Sequence, residues 1–110
     1  MLPLEKELET ELLAIYEKCS TMGYRRTRFK KMLTTSNPRF YKGPVGTVRH
    51  LMFGEPGPTS GFRRLVKAGR LTWTVEWLIA NNPRWQPLFQ KPEWVVEKAK
   101  ARVREAKASN

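Results

Sequence analysis

From Leu4 onward the apolar residues fall at Leu4, Leu8, Leu12, Ile15, Tyr16, Cys19 and Met22, in steps of mostly three and four that wrap into one stripe on a helix. Glu7, Glu11 and Glu17 turn away from that stripe and Gly23 supplies a stop, so the pattern predicts an acidic first helix over 4–22. A second helix is expected from Arg25 to Thr34, with Phe29, Met32 and Leu33 inward and Arg28, Lys30 and Lys31 outward; Ser36, Asn37 and Pro38 end it. Gly43 and Pro44 open a third, with Val45, Val48, Leu51 and Met52 on one face, and 54–58 reads as a loop. Ser60 is the expected cap of a fourth helix that buries Phe62, Leu65 and Val66 and ends at Gly69. Thr72 is the expected cap of a fifth that buries Val75, Leu78 and Ile79 and stops at Asn81, Asn82 and Pro83.

Trp85, Leu88 and Phe89, interleaved with Pro83 and Pro87, suggest an irregular segment pinned on the core by bulky side chains. Pro92 starts the last helix, about 92–107, with Val95, Val96, Ala99, Val103 and Ala106 as its stripe; Ala106 to Asn110 is expected to fray. No stretch alternates apolar and polar residues long enough for a strand, and there is no internal repeat. The expectation is an all-α fold, an irregular bundle of five or six short helices, forming a single helical domain over 1–110.

Charge changes this picture. Lys and Arg number 21 against 10 acidic residues, a formal +11, and the excess is uneven. Residues 1–22 hold five Glu and two Lys; residues 23–70 hold twelve bases and Glu55; residues 71–110 hold seven bases and four Glu. A basic central block of this density suits a polyanion. Arg63, Arg64 and Lys67 are expected to share one exposed face of the fourth helix, as Arg28, Lys30 and Lys31 do on the second. If those faces meet Arg39, Lys42, Arg49 and Arg70, the patch would neutralise several phosphates and release their counterions. The alternative is ordinary solvated faces pointing in different directions.

Reading bases needs more than charge. Residues 60–80 have the outline of a helix-turn-helix, but Arg64 and Arg70 sit where apolar residues are usual, and the second helix offers Trp73, Glu76 and Trp77 with no Arg or Lys. A plain helical corner is the stronger reading. Tyr41, Trp73, Trp77 and Trp85 are candidates for stacking on unpaired bases, with a core role as the alternative. Cys19, the single cysteine, lies on the first stripe and reads as core; it excludes an internal disulfide and suits a reducing compartment. His50 is the lone histidine and there is no Asp, so no metal-ligand cluster or Ser-His-Asp triad is written here, and no cofactor or catalytic centre is expected. Gly54 to Gly61 lacks the Lys-Ser or Lys-Thr of a phosphate loop and reads as a connector. No run approaches the roughly 20 apolar residues of a membrane span. The start lacks the order of a secretory signal, so a cytoplasmic location is expected.

The runs Tyr24–Phe29, Gly46–Leu51, Ser60–Leu65, Gly69–Glu76 and Pro87–Phe89 resemble a family of uncharacterised bacterial helical proteins and appended domains, over roughly residues 24–105. The most specific portion is Gly-Phe-x-x-Leu-x-x-x-Gly-Arg-Leu-x-x-Thr-Val-Glu, from Gly61 to Glu76. The resemblance implies a helical module, sometimes found beside nucleic-acid-processing enzymes, and supplies no catalytic residue. This chain departs from the family's usual look in having Thr72 in place of an acidic cap and in a more basic second helix. Together these readings lead to the expectation of a non-enzymatic module that contacts DNA or RNA phosphates with little sequence preference. The alternative is a protein-interaction or self-assembly module that docks through helix 4–22, whose acids would face a basic partner surface.

Overall fold

The computed structural model describes residues 3–24, 26–35, 37, 39, 41–54 and 58–109. Arg25, Ser36, Pro38, Glu55, Pro56, Gly57 and Asn110, which figure in the expected helix start, stop, loop and frayed end, lie outside the described residues. Among the described residues there are six α-helices and no strand: α1 Pro3–Thr21, α2 Thr27–Thr34, α3 Gly43–Phe53, α4 Ser60–Lys67, α5 Val75–Ala80 and α6 Pro92–Ser109. Two 3-10 segments, Leu71–Trp73 and Pro83–Leu88, flank α5. The fold is an all-α bundle of short helices.

Periodicity explains α1. Leu8, Leu12, Ile15 and Cys19 lie on one side and are buried, while Met22 falls beyond the helix and is exposed. Cys19 is fully buried in the core, and burial raises the pKa of its thiol, with Arg26 pulling the other way. Gly23 adopts φ +76° just past the helix; Tyr24 N–H donates to Cys19 O at 3.1 Å and Gly23 N–H to Ser20 O at 3.0 Å. Gly69 closes α4 in the same way, with φ +74° and Arg70 N–H donating to Leu65 O at 2.8 Å. Both are left-handed C-terminal caps that a residue with a Cβ enters only at a cost.

The N-terminal caps differ from expectation. Thr59, not Ser60, caps α4, its hydroxyl accepting Phe62 N–H at 3.2 Å; Ser60 already belongs to the helix. Thr74, not Thr72, caps α5, accepting Trp77 N–H at 3.1 Å while donating to Leu71 O at 2.7 Å. The 3-10 turn Leu71–Trp73 uses up the residues that the sequence pattern would give to the helix. At the other end, α6 runs on through Ser109 and Ala106 is buried, so residues 106–109 of the segment expected to fray are helical.

One apolar core draws on α1, α2, α3, α4, α5, α6 and the Pro83–Leu88 segment. Trp85, almost wholly buried, is the largest side chain in it, and the segment carrying it is a regular 3-10 turn begun by the Asn82 side chain, which accepts Arg84 N–H at 3.4 Å. Two charges are buried as well. Arg102 of α6 sends Nη1 to Leu51 O at 2.7 Å and Nη2 to Met52 O at 3.1 Å, carbonyls of the last turn of α3, and lies 3.4 Å from Glu76 of α5. A single guanidinium therefore ties three helices together. Glu76 sits in the first turn of α5, where the helix dipole favours a negative charge.

Candidate nucleic-acid interface

The four central cations that come together do so because of a strap built on Asn37. After α2 the chain reverses: Thr35 N–H donates to Lys31 O, Asn37 N–H to Thr35 Oγ1 at 3.3 Å, and Arg39 N–H to Asn37 Oδ1 at 3.0 Å. Tyr41 N–H then donates to Asn37 O, and Lys42 N–H returns to Met32 O at 2.8 Å. This is the side-chain turn that asparagine favours. It lays residues 39 and 42 beside α2, where Phe29, Met32 and Leu33 face the core and leave Arg28 and Lys31 outward.

The result is a cavity of about 380 Å³ lined by Thr27, Arg28, Lys31, Met32, Arg39, Lys42 and His50. A second cavity of about 270 Å³ shares Thr27, Arg28, Met32 and His50 with it and reaches Tyr24, Arg26, Thr59, Ser60 and Gly61 at the start of α4. The two adjoin along those shared residues and are together termed the cleft. Arg26, Arg28, Lys31, Arg39 and Lys42 line it, and no carboxylate appears among its described lining residues. At its far end a Cβ on Gly61 would lie 3.0 Å from the Tyr24 hydroxyl and 3.1 Å from the Arg26 guanidinium, so glycine there lets both groups lie over the first turn of α4. The positive end of α4 adds to the same field.

The other expected site residues lie elsewhere. Lys30 stands 5.1 Å over the Tyr16 ring of α1, Arg64 4.1 Å over Tyr24, and Arg70 4.9 Å over Trp73. Arg63 and Lys67 line a separate cavity with Phe62, Val66 and α6 residues including Glu105. Arg49 faces yet another with Phe53 and Trp94. Neither trio acts as a single face: Lys30 turns from Arg28 and Lys31 toward α1, and Arg64 turns from Arg63 and Lys67 toward Tyr24. Arg28, Lys31, Arg39 and Lys42 are the members of the expected set that share one cavity.

No family model, curated protein or solved structure matches the chain. The site therefore rests on its own geometry. Within the segment that carried the sequence resemblance, Phe62, Leu65, Thr74, Val75 and Glu76 are buried and Gly69 is a cap, so those positions serve the fold, while Gly61 lines the cleft.

The base-reading helix does not materialise. α5 is six residues long, its Val75, Glu76 and Ile79 are buried, and Trp73 belongs to the preceding 3-10 turn. The segment is a helical corner. Of the expected stacking residues, Trp85 is core, Trp73 and Trp77 are half-buried, and Tyr41 is exposed. Trp94, which charge and periodicity did not single out, is more exposed than any of these, at 58%.

On α1, Glu7 pairs with Arg84 of the Pro83–Leu88 segment at 2.6 Å. Both partners of that pair are exposed, so it adds little stability. Among the described residues no group of His, Cys and Glu is arranged to hold a metal, and no helix is long and apolar enough to cross a membrane.

Proposed function

We propose that the protein is a non-enzymatic, cytoplasmic accessory module that holds the phosphates of DNA or RNA in the cleft between α2, the Asn37 strap and the start of α4. The observation that carries this reading is the cavity lined by Arg28, Lys31, Arg39 and Lys42 without a carboxylate among its described residues. Guanidinium and ammonium groups match phosphate oxygens. They carry no base preference by themselves, which supports binding with little sequence selectivity.

Four phosphate contacts set a slope of roughly −3 to −4 in the logarithm of affinity against the logarithm of salt, at about 0.9 per contact on duplex DNA. Affinity for duplex DNA is therefore expected to fall about a hundredfold between about 50 mM and about 200 mM salt. Fluorescence anisotropy with short duplex DNA, single-stranded DNA and RNA at those two concentrations checks it. Binding that ignores salt, or no binding at low salt, removes the proposal.

A second reading is self-assembly or docking on a protein through α1, favoured by the exposed Glu11 and Glu17 on that helix. Light scattering on the purified protein separates the two: a stable dimer disrupted by Glu11→Lys with Glu17→Lys supports the second.

A further inference from the structure

We propose that the groove between the end of α3 and the start of α6 is a stacking site for one unpaired nucleobase. This rests on the nucleic-acid reading above and specifies which form of nucleic acid gains an extra contact. The groove has a volume of about 380 Å³ and is lined by Arg49 and Phe53 of α3, Gln90 and Lys91 of the connector, and Trp94 and Val95 of α6. Two of the most exposed large apolar side chains, Phe53 at 49% and Trp94 at 58%, meet in it. Aromatic surface of this kind is costly to leave in water and is what single-strand binders present to successive bases.

Charge identifies the occupant. The Lys91 ammonium stands 4.0 Å from the Trp94 ring centroid, a cation–π contact that fixes the indole, and Arg49 lies on the α3 wall. No carboxylate appears among the described lining residues. An apolar peptide side chain needs the rings but not the two cations, whereas a nucleotide uses both, the base on Trp94 or Phe53 and its phosphate on Arg49 or Lys91. Gln90 adds an amide able to donate to and accept from a base edge.

The groove also lies where a bound strand can reach it. Arg49 and His50 are consecutive on α3; Arg49 lines the groove and His50 lines the cationic cleft. A strand held by its phosphates in the cleft and continuing across α3 would place a base against Trp94. A duplex keeps its bases stacked and gains nothing from the groove.

The test is the affinity of oligothymidylate and of duplex DNA of matched length, at one low salt concentration, for the wild type, Trp94→Ala and Trp94→Phe, with light scattering on each. The expected result is that Trp94→Ala weakens single-strand binding about tenfold, within the range for one stacked base, and leaves duplex binding within about twofold. Trp94→Phe should recover most of the loss, which a defect in folding would not. Unchanged single-strand affinity, or equal loss on both ligands, overturns the site while leaving the cleft intact. A dimer that Trp94→Ala dissociates also overturns it, by assigning the groove to a second copy. A wild type that binds neither ligand overturns the functional reading itself.

Discussion

Arg102→Met is expected to destabilise the protein by about 3–5 kcal/mol, the usual cost of removing one member of a buried ion pair. For a domain of this size that lowers the melting temperature by on the order of 15–25 °C. Arg102 is 3% exposed, and its guanidinium holds Leu51 O, Met52 O and the Glu76 carboxylate at once. Methionine fills similar space but leaves the carboxylate buried without that cation and the two carbonyls without those donors. The double variant Arg102→Met with Glu76→Gln should recover a large part of the loss, because the orphaned charge has gone.

The pH dependence has a definite sign. Burial raises the Glu76 pKa above its ordinary value of 4.5, with its own backbone N–H and Arg102 opposing the shift. A carboxyl whose folded value is raised contributes stability that is fully present below the unfolded value and lost as pH climbs through the folded one. Wild type should therefore lose ground to Glu76→Gln, which cannot titrate, as pH rises above the ordinary value of 4.5. In Arg102→Met the Glu76 carboxyl is pushed up further, so the cost of that variant should be smaller at acid pH than at higher pH. Urea unfolding at several pH values measures both. A loss under about 1 kcal/mol for Arg102→Met would mean that the pair does not tie the helices as described.

Reversing two cleft charges, Arg28→Glu with Arg39→Glu, is expected to weaken duplex binding about a hundredfold or more at low salt. Each charge-assisted contact contributes about 1.5–3 kcal/mol, and repulsion adds to the loss. The salt slope should shrink by about two, close to 0.9 for each phosphate contact removed. The comparison that isolates position is Arg63→Glu with Lys67→Glu. It changes the net charge by the same amount but acts in the cavity beside α6. Its expected effect is no more than about tenfold, through the general field alone. Both arginines of the cleft pair are exposed, so folding should survive, which circular dichroism checks. Equal losses from the two pairs would leave net charge, and not the cleft, as the cause.

Much of this fold is legible in the chain because local rules agree with tertiary need. The Leu8, Leu12, Ile15 and Cys19 spacing, the glycines at 23 and 69, and Pro92 each mark an element that the structure contains. The caps at Thr59 and Thr74 were misplaced by one and two residues. Neighbouring Ser60 and Thr72 have equal capping chemistry, and the choice is decided by a 3-10 turn that tertiary packing selects. Nothing in the local spacing around Glu76 marks it as buried; its distant partner on α6 makes it a core residue.

The site was legible as a charge excess and not as a place. Arg28 and Lys31 follow from helical spacing, but Arg39 and Lys42 join them through hydrogen bonds of Asn37 and Met32 that no periodicity encodes. Helical spacing also failed to separate Lys30 and Arg64 from their neighbours, because long cationic side chains settle on whichever ring is near, here Tyr16 and Tyr24. Arg26 precedes α2 and belongs to no stripe, yet it forms one end of the cleft. Trp94 had a signal that could have found it. It occupies the position just before the buried Val95 and Val96 at the start of α6, where a large aromatic faces out.

The most direct measurement of where a polyanion lies is a titration of isotope-labelled protein with a short DNA duplex at low salt, followed by amide chemical shifts. Shifts should concentrate in residues 26–32, 39, 41–42 and 59–61, with α1 and the second half of α6 unmoved. Shifts spread evenly over the surface, or centred on α1 or on the Arg63 and Lys67 cavity, would contradict the assignment of the cleft.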